Sequence, residues 1–201
     1  LKWFIVFTIV DATFFQLFLT YGISETGAGL GSVLIDSQPL IVALLARAIF
    51  GNLINPIGWL GLLFGLGGII FLGFPKEFLE KWWLMSDTNL GDINFNVGEA
   101  WMLAAALSMA LGTILIRLTC TKSDPVSVTG WHMVFGSLPL IIKYFLDTNF
   151  QALPNWTFTE WGLMSFASIF GSAIAYGLFF YFANNKEITG FSTLAFLTPV
   201  F

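Results

Sequence analysis

The sequence predicts an all-α integral membrane protein, a multi-spanning helical bundle, and three observations lead to that class. Of the 201 residues, 57% are hydrophobic and only 10% are charged, whereas a soluble domain carries about 25% charged residues. The apolar residues are gathered into stretches of about 20, the helical length that crosses a hydrocarbon core of about 30 Å. They fill every side of those stretches, without the alternation of a membrane barrel. We therefore expect the outer surface to face lipid.

Seven stretches are predicted to be membrane-spanning helices, separated by polar breaks. Pro56 suits the first turn of a helix, and Pro125 marks another helix start after the turn Lys122–Asp124. Two connections, 75–96 and 147–158, are longer and polar. The predicted helices cover residues 3–22, 28–50, 56–74, 97–118, 126–146, 159–183 and 187–201, the last one incomplete.

Composition also limits the function classes. The single cysteine, Cys120, and the single histidine, His132, argue against a disulfide framework and a cysteine- or histidine-rich metal site. The net charge of −4, without a basic run, argues against a nucleic-acid partner. The sequence has no Gly-rich phosphate-binding loop, no His-Glu-x-x-His motif and no Gly-x-Ser-x-Gly motif. We therefore expect no metal, no cofactor and no enzyme activity. The expected partners are the lipid bilayer and a small-molecule substrate, and a homodimer is compatible with the sequence.

An internal repeat is indicated by a shift of 160 residues. The shift places the first two helices on the last two, and it pairs Tyr21 with Tyr181 and Pro39 with Pro199. A repeat that restarts at the sixth helix contains five helices, so its two copies cross the membrane in opposite directions, as in many secondary transporters.

The repeat predicts a domain organisation. Residues 1–74 are the three-helix end of the first repeat, 75–96 are an extramembrane connection, and 97–201 are four helices of the second repeat. We expect two further helices before Leu1 and the remainder of a ten-helix protein after Phe201.

Two carboxylates lie inside predicted spans, Asp11 in the first helix and Asp36 in the second. A charge at the bilayer centre costs about 2.5–3.5 kcal/mol on insertion scales, and such residues commonly face a bundle interior. Substrate contact or proton coupling is the functional interpretation, and a protonated or hydrogen-bonded structural acid is the alternative. Ser32, Asp36 and Pro39 have the spacing of one helical face. Pro39 and Pro199 are expected to shape their helices.

Three further side chains are candidates for the substrate site. His132 could titrate near neutral pH, and Trp131 could stack on a substrate, although an interfacial Trp and a backbone-bonded His remain the alternative. The hydroxyl of Tyr176 either lines a cavity or is satisfied within the packing. The predicted substrate site is thus Asp36, Ser32, Trp131, His132 and Tyr176, and the predicted proton-coupling residues are Asp36 and Asp11.

Several loose motifs carry a family resemblance. They are Gly29–Pro39, Ser108–Arg117, Ser123–Pro125, Gly130–Met133, and Gly171–Tyr176 leading into Leu197–Pro199. On these motifs the chain resembles the EamA family of the drug/metabolite transporter superfamily over nearly its whole length. Ile35–Pro39 and Gly130–Met133 are similar to its plant-plastid and cyanobacterial branch. The chain departs from the family at Gly51–Leu53, where many members have a Gly-Glu-Arg-like turn. This chain has no glutamate there, so the role of that glutamate in other members is not expected here.

The resemblance implies a fold and a function. The fold would have ten helices in two inverted five-helix halves around a central cavity, of which this chain holds helices three to nine. The function would be export of small polar metabolites or amino acids by alternating access, in a bacterial inner membrane or a plastid membrane. The residues alone support a carrier. The alternatives are a membrane-embedded enzyme acting on a lipid or isoprenoid, and a non-transporting structural membrane protein.

Overall fold

The computed structural model describes residues 1–51, 53–73, 97–147 and 156–185, and within these ranges the chain is helical without any β-strand. The predicted span 187–201, with Pro199, and the connection 75–96 lie outside the described residues. The elements are α1 (Lys2–Phe7), the π-helix π1 (Thr8–Phe14), α2 (Phe15–Ile35), α3 (Gln38–Phe50), α4 (Pro56–Gly73), α5 (Val97–Thr119), α6 (Pro125–Asp147), α7 (Phe158–Phe166), the π-helix π2 (Ala167–Ile174) and α8 (Ala175–Asn185).

The first two predicted spans meet at a sharp bend within α2. Helical structure continues from Lys2 to Ile35, but Gly27 has φ 78° and ψ 165°, a conformation that glycine adopts without steric cost. A Cβ added at Gly31 would lie 3.5 Å from Cγ1 of Ile23, whereas eight residues of straight helix extend about 12 Å. The predicted break between the first two spans, at residues 23–27, is therefore too long: the chain stays helical as far as the bend at Gly27.

The second predicted span, 28–50, is interrupted. Regular α-helix ends at Ile35 and resumes at Gln38, with Asp36 and Ser37 between them. Pro39 stands in the first turn of α3 and has no backbone N–H, so it cannot continue the hydrogen-bond ladder across the break. The sequence predicted a distorted helix here, and the distortion is a complete interruption.

Local sequence sets the remaining helix ends close to the predicted positions. Gly51 ends α3 in the left-handed conformation, with φ 68°. The Asn55 side chain accepts the Gly58 N–H at 2.6 Å as α4 begins at Pro56, and the Asp124 carboxylate accepts the Ser127 N–H at 2.8 Å at the start of α6. Thr157 opens α7 through a reciprocal capping box with Glu160.

Helix α5 is the centre of the bundle and packs against α1, π1, α2, α3 and α8. Its Met102 is fully buried and lies against both limbs of the bent α2, because Gly22 and Gly31 leave room for the thioether. The long continuous helices are apolar enough to cross a membrane, and large hydrophobic side chains such as Phe64 and Phe170 are exposed on the outside. The protein is an all-α integral membrane protein, as predicted.

Candidate functional site

A deeply buried polar contact joins Asp11 of π1 to His132 of α6. The Nε2 atom of His132 lies 3.0 Å from Oδ2 of Asp11, and each side chain is only 1% exposed. The other carboxylate oxygen, Oδ1, is buried without a hydrogen-bond partner among the described residues. This Asp11–His132 pair is the first part of the candidate site.

The contacts of the two ring nitrogens indicate how His132 is hydrogen-bonded. Its Nδ1 atom contacts the backbone carbonyl of Thr129, which can only accept, so Nδ1 carries a proton in either charge state. The remaining proton is then the one between Nε2 and Oδ2 of Asp11. Without that proton, a carboxylate would face a nitrogen lone pair in a buried site, so the geometry favours a pair that binds one shared proton.

The backbone of π1 and two glycines make room for this pair. A π-helical turn changes the phase of a helix and is frequent at functional sites. A Cβ at Gly112 of α5 would lie within 2 Å of the Asp11 carboxylate, and a Cβ at Gly136 of α6 would lie 2.2 Å from the Cβ of Ala12. Thr13 also donates to the Gly136 carbonyl at 2.9 Å. Close approach of the three helices therefore depends on these glycines.

Aromatic rings enclose the imidazole. Phe7 stacks on His132 with a centroid distance of 4.2 Å and an interplanar angle of 20°, and Phe180 of α8 meets the same ring edge-on at 5.7 Å. Tyr176 packs between Phe15 and Phe180. The faces of the imidazole are thus covered by aromatic rings, and surroundings of low polarity strengthen the interaction within the pair.

A second buried polar group lies at the break between α2 and α3. Asp36 is 5% exposed and Ser37 is 8% exposed, and neither Oδ2 of Asp36 nor Oγ of Ser37 has a hydrogen-bond partner among the described residues. The next residue, Gln38, donates from Nε2 to Oγ1 of Thr113 at 3.2 Å. We call Asp36 and Ser37 the Asp36 break.

Helix α5 connects the two polar regions. Gly112 lies against Asp11, and the next residue, Thr113, bonds Gln38 beside the Asp36 break. Consecutive helical residues point about 100° apart and differ by about 1.5 Å along the axis. The two regions therefore contact adjacent sides of α5 at nearly the same level, about 6–8 Å along the axis from Ser108 at the middle of that helix.

The predicted site residues divide between buried and exposed positions. Asp11, His132 and Tyr176 come together around the pair, and Asp36 and Pro39 are buried at the break. Trp131 is 59% exposed and stacks on Phe135. Ser32 is exposed and donates to the carbonyl of Gly29, since its neighbour Gly31 is the residue that faces α5. The structure therefore does not place Ser32 or Trp131 with the buried carboxylates.

Sequence reasoning missed four contributors to the site: Gly112, Thr113, Thr129 and Ser37. Gly112 belongs to the Ala104–Ser108–Gly112 series of small residues, a spacing that signals close helix approach without naming the partner. The hydroxyls and the Thr129 carbonyl carry no comparable signal, because Ser and Thr within a helix most often bond to their own backbone.

These features define an integral membrane protein with buried carboxylates between closely packed helices, which is a recurring arrangement in membrane carriers. The chain belongs to the EamA-like transporter family, whose pattern matches residues 1–74 and 96–201.

Relatives agree with that family and with the predicted branch. An uncharacterized transporter of Synechocystis sp. is 48% identical over 99% of this chain and 61% of its own length. A WAT1-related chloroplastic protein of Arabidopsis thaliana is 44% identical over 99% of this chain and 47% of its own length. The uncharacterized transporter YoaV of Bacillus subtilis is 26% identical over the whole of this chain and 64% of its own length. The chain thus spans between about half and two thirds of these relatives, and no solved structure matches it significantly.

Proposed function

We propose that the full-length protein is a secondary transporter that exports small polar metabolites or amino acids by alternating access, driven by protons. The observation that carries this proposal is the buried Asp11–His132 pair, in which a carboxylate and an imidazole nitrogen lie 3.0 Å apart between two helices. Membership of a transporter family and transporter-named relatives support the solute-moving role. Ionisable groups inside a membrane bundle are characteristic of proton relays.

The chemistry of proton coupling follows from the pair itself. With the shared proton present, Nε2 of His132 and Oδ2 of Asp11 attract each other and hold α6 against π1. Without it, the carboxylate and the lone pair repel each other, and the contact between these two elements weakens. Protonation would thereby bias two arrangements of the bundle. Linked equilibria of this kind change ligand affinity by about 5- to 150-fold.

The two π-helices support an inverted repeat. The shift of 160 residues carries Thr8–Phe14 onto 168–174, and the second π-helix occupies Ala167–Ile174. Irregular turns at matching positions are expected when two copies of one unit build a transporter. We therefore retain residues 1–74 and 97–201 as parts of two inverted repeats of five helices each, joined through 75–96.

The membrane location is proposed from the relatives. A cyanobacterial protein and a chloroplastic plant protein are the two relatives above 40% identity described above. A bacterial plasma membrane or a plastid membrane is therefore the proposed compartment.

Metabolite profiling of cells tests the function directly. Cells with and without the full-length protein are compared for compounds that accumulate in the medium, at several external pH values. We expect one or more polar compounds to depend on the protein, and their export to depend on pH. Unchanged media would contradict the transporter proposal. Depletion of a lipid or isoprenoid, with formation of a product, would instead favour a membrane-embedded enzyme.

Variants of the pair test the proton role. Asp11→Asn keeps the shape of the side chain and removes its titration. We expect it to abolish the pH dependence of export, whereas Asp147→Asn, at an exposed carboxylate on the end of α6, should export normally. Unaltered pH dependence in Asp11→Asn would contradict proton coupling through this pair.

A further inference from the structure

The Asp36 break presents buried oxygen atoms without partners. Oδ2 of Asp36 and Oγ of Ser37 are inaccessible to solvent and form no hydrogen bond with any described residue. They lie between the end of α2 and the start of α3, where the backbone is not part of a regular helix. Buried polar atoms are nearly always paired in native proteins, so this group of atoms calls for a ligand or another explanation.

The missing partner of Asp36 is a cation or a hydrogen-bond donor. Asp11, the other intramembrane carboxylate, has His132 as an internal partner, but no described basic residue forms an ion pair with Asp36. An ionised carboxylate left unpaired in a low-dielectric interior is unfavourable by several kcal/mol. The carboxyl group must therefore be protonated or meet a positive group that comes from outside the described bundle.

The backbone around the break also favours a positive group. Pro39 has no N–H, so the carbonyl of Ile35 lacks its ordinary donor four residues later. The break is both the carboxyl end of α2 and the amino end of α3, so the two helix dipoles oppose each other there, and the acceptor atoms favour the positive group. A carboxylate, a hydroxyl oxygen and carbonyl oxygens are all acceptors. An ammonium group supplies three N–H donors and a positive charge, which matches this set.

We propose that Asp36 and Ser37 bind the primary ammonium group of the exported solute, so that the substrate class is organic amines. This inference rests on the proposed transport function. Gln38, held by Thr113, fixes one side of the site. The amine site and the Asp11–His132 pair contact adjacent sides of α5. Binding of an amine at the Asp36 break would therefore change how the helices pack around the pair.

Ligand-dependent thermostability of the purified full-length protein tests the amine site. The probe is n-butylammonium chloride, an analogue of the lysine side chain and fully charged at neutral pH. Its uncharged counterpart, 1-butanol, is used at the same concentrations, and sodium chloride is compared with choline chloride at constant ionic strength. We expect saturable stabilisation by n-butylammonium and none by 1-butanol. Saturable stabilisation by sodium alone would overturn the proposal in favour of an inorganic cation site.

Variants at the break make the test specific. Asp36→Asn should weaken n-butylammonium binding by about 30-fold or more, the effect of removing one partner of a buried charge pair. Ser37→Ala should weaken it by a smaller factor. Asp147→Asn alters an exposed carboxylate and should bind the probe as the wild type does. Equal binding by Asp36→Asn and the wild type would overturn the proposal.

The outcome is separable from the proposed transport function. If profiling finds exported compounds that are neutral or anionic, and Asp36→Asn exports them normally, the amine site is wrong while the transporter proposal stands. If no compound is exported but n-butylammonium binds through Asp36, the amine site stands and the transport proposal fails.

Discussion

The two intramembrane carboxylates differ in what faces them. Asp11 contacts an imidazole supplied by α6, whereas Oδ2 of Asp36 has no hydrogen-bond partner among the described residues, although both side chains are buried. A built-in partner lets a carboxylate exchange a proton without leaving a bare charge. A carboxylate without an internal partner is suited to a ligand that binds and dissociates. Our proposals that Asp11 carries the proton and that Asp36 binds the solute rest on this difference.

The largest expected difference between the two carboxylates is in stability. His132→Leu removes the partner of Asp11 and should lower the free energy of unfolding by about 3–5 kcal/mol, because a buried charge loses its counter-charge. Asp36→Asn should change it by less than about 0.5 kcal/mol or raise it, since no described contact is lost. Unfolding of the full-length protein in detergent measures both.

A double variant controls for loss of packing. Asp11→Asn combined with His132→Leu should recover part of the stability, because no uncompensated carboxylate remains. Equal destabilisation by the single and double variants would show that packing of the imidazole against Phe7, and not its charge, accounts for the effect.

Overpacking at Gly112 should have the next largest effect. In Gly112→Ala the new methyl group would collide with the Asp11 carboxylate, and overpacking of this kind costs about 1–3 kcal/mol. Gly162→Ala is the matched control, since nothing lies within 4 Å of its added Cβ, and it should stabilise α7 by up to about 1 kcal/mol. Thermostability of the two variants measures the difference, and equal stability would contradict the close contact between α5 and π1.

A smaller effect is expected at the link to the Asp36 break. Thr113→Val keeps the shape of the side chain but removes the acceptor for Gln38, which should lower stability by about 1 kcal/mol. We also expect weaker n-butylammonium binding, because Gln38 loses its fixed position. Unchanged stability and unchanged binding would show that the hydrogen bond does not hold the break in place.

The smallest effect is expected at Trp131. Its ring is 59% exposed on the outside of α6, so Trp131→Ala should change stability by less than about 0.5 kcal/mol and leave export unchanged. Export assays decide between this expectation and the substrate-stacking role that the sequence predicted. A large loss of export would restore Trp131 to the site.

The two π-helices differ in burial and in whether they contain a carboxylate. Residues Thr8, Asp11, Ala12 and Thr13 of π1 are buried, whereas π2 has no buried residue among the described helices. At the position that corresponds to Asp11 under the shift of 160, the second copy has Gly171. Under the proposed repeat, the irregular turn would be common to both copies and the carboxylate would be specific to the first.

Much of the fold follows from local signals in the sequence. Hydrophobic length predicted the spans over α4, α5 and α6, and Asn55, Asp124 and Thr157 begin helices for reasons visible in a few residues. The bend at Gly27 and the break at Asp36 were only partly predicted. The bend brings both limbs of α2 against Met102, a contact that no local pattern reveals. At the break, Pro39 indicated a distortion but not that regular helix would stop at Ile35.

The sequence singled out the buried polar residues Asp11, Asp36 and His132, but not the contact between Asp11 and His132. The cost of a charge in lipid singled out Asp11 and Asp36. The contact between Asp11 and His132 joins residues 121 positions apart, and it requires a π-helical turn that changes the phase of the helix. The regular periodicity of an α-helix predicts neither this contact nor the π-helical turn. Ser32 shows the same limit, because its spacing matched Asp36 but its side chain is exposed.

Proton movement by the reconstituted full-length protein tests the central assignment most directly. Proteoliposomes containing a pH-sensitive dye are supplied with a compound identified by profiling, and the lumenal pH is followed for the wild type, Asp11→Asn and Asp147→Asn. We predict compound-dependent proton flux for the wild type and Asp147→Asn, and none for Asp11→Asn. Wild-type flux in Asp11→Asn would contradict the assignment of the transported proton to the Asp11–His132 pair.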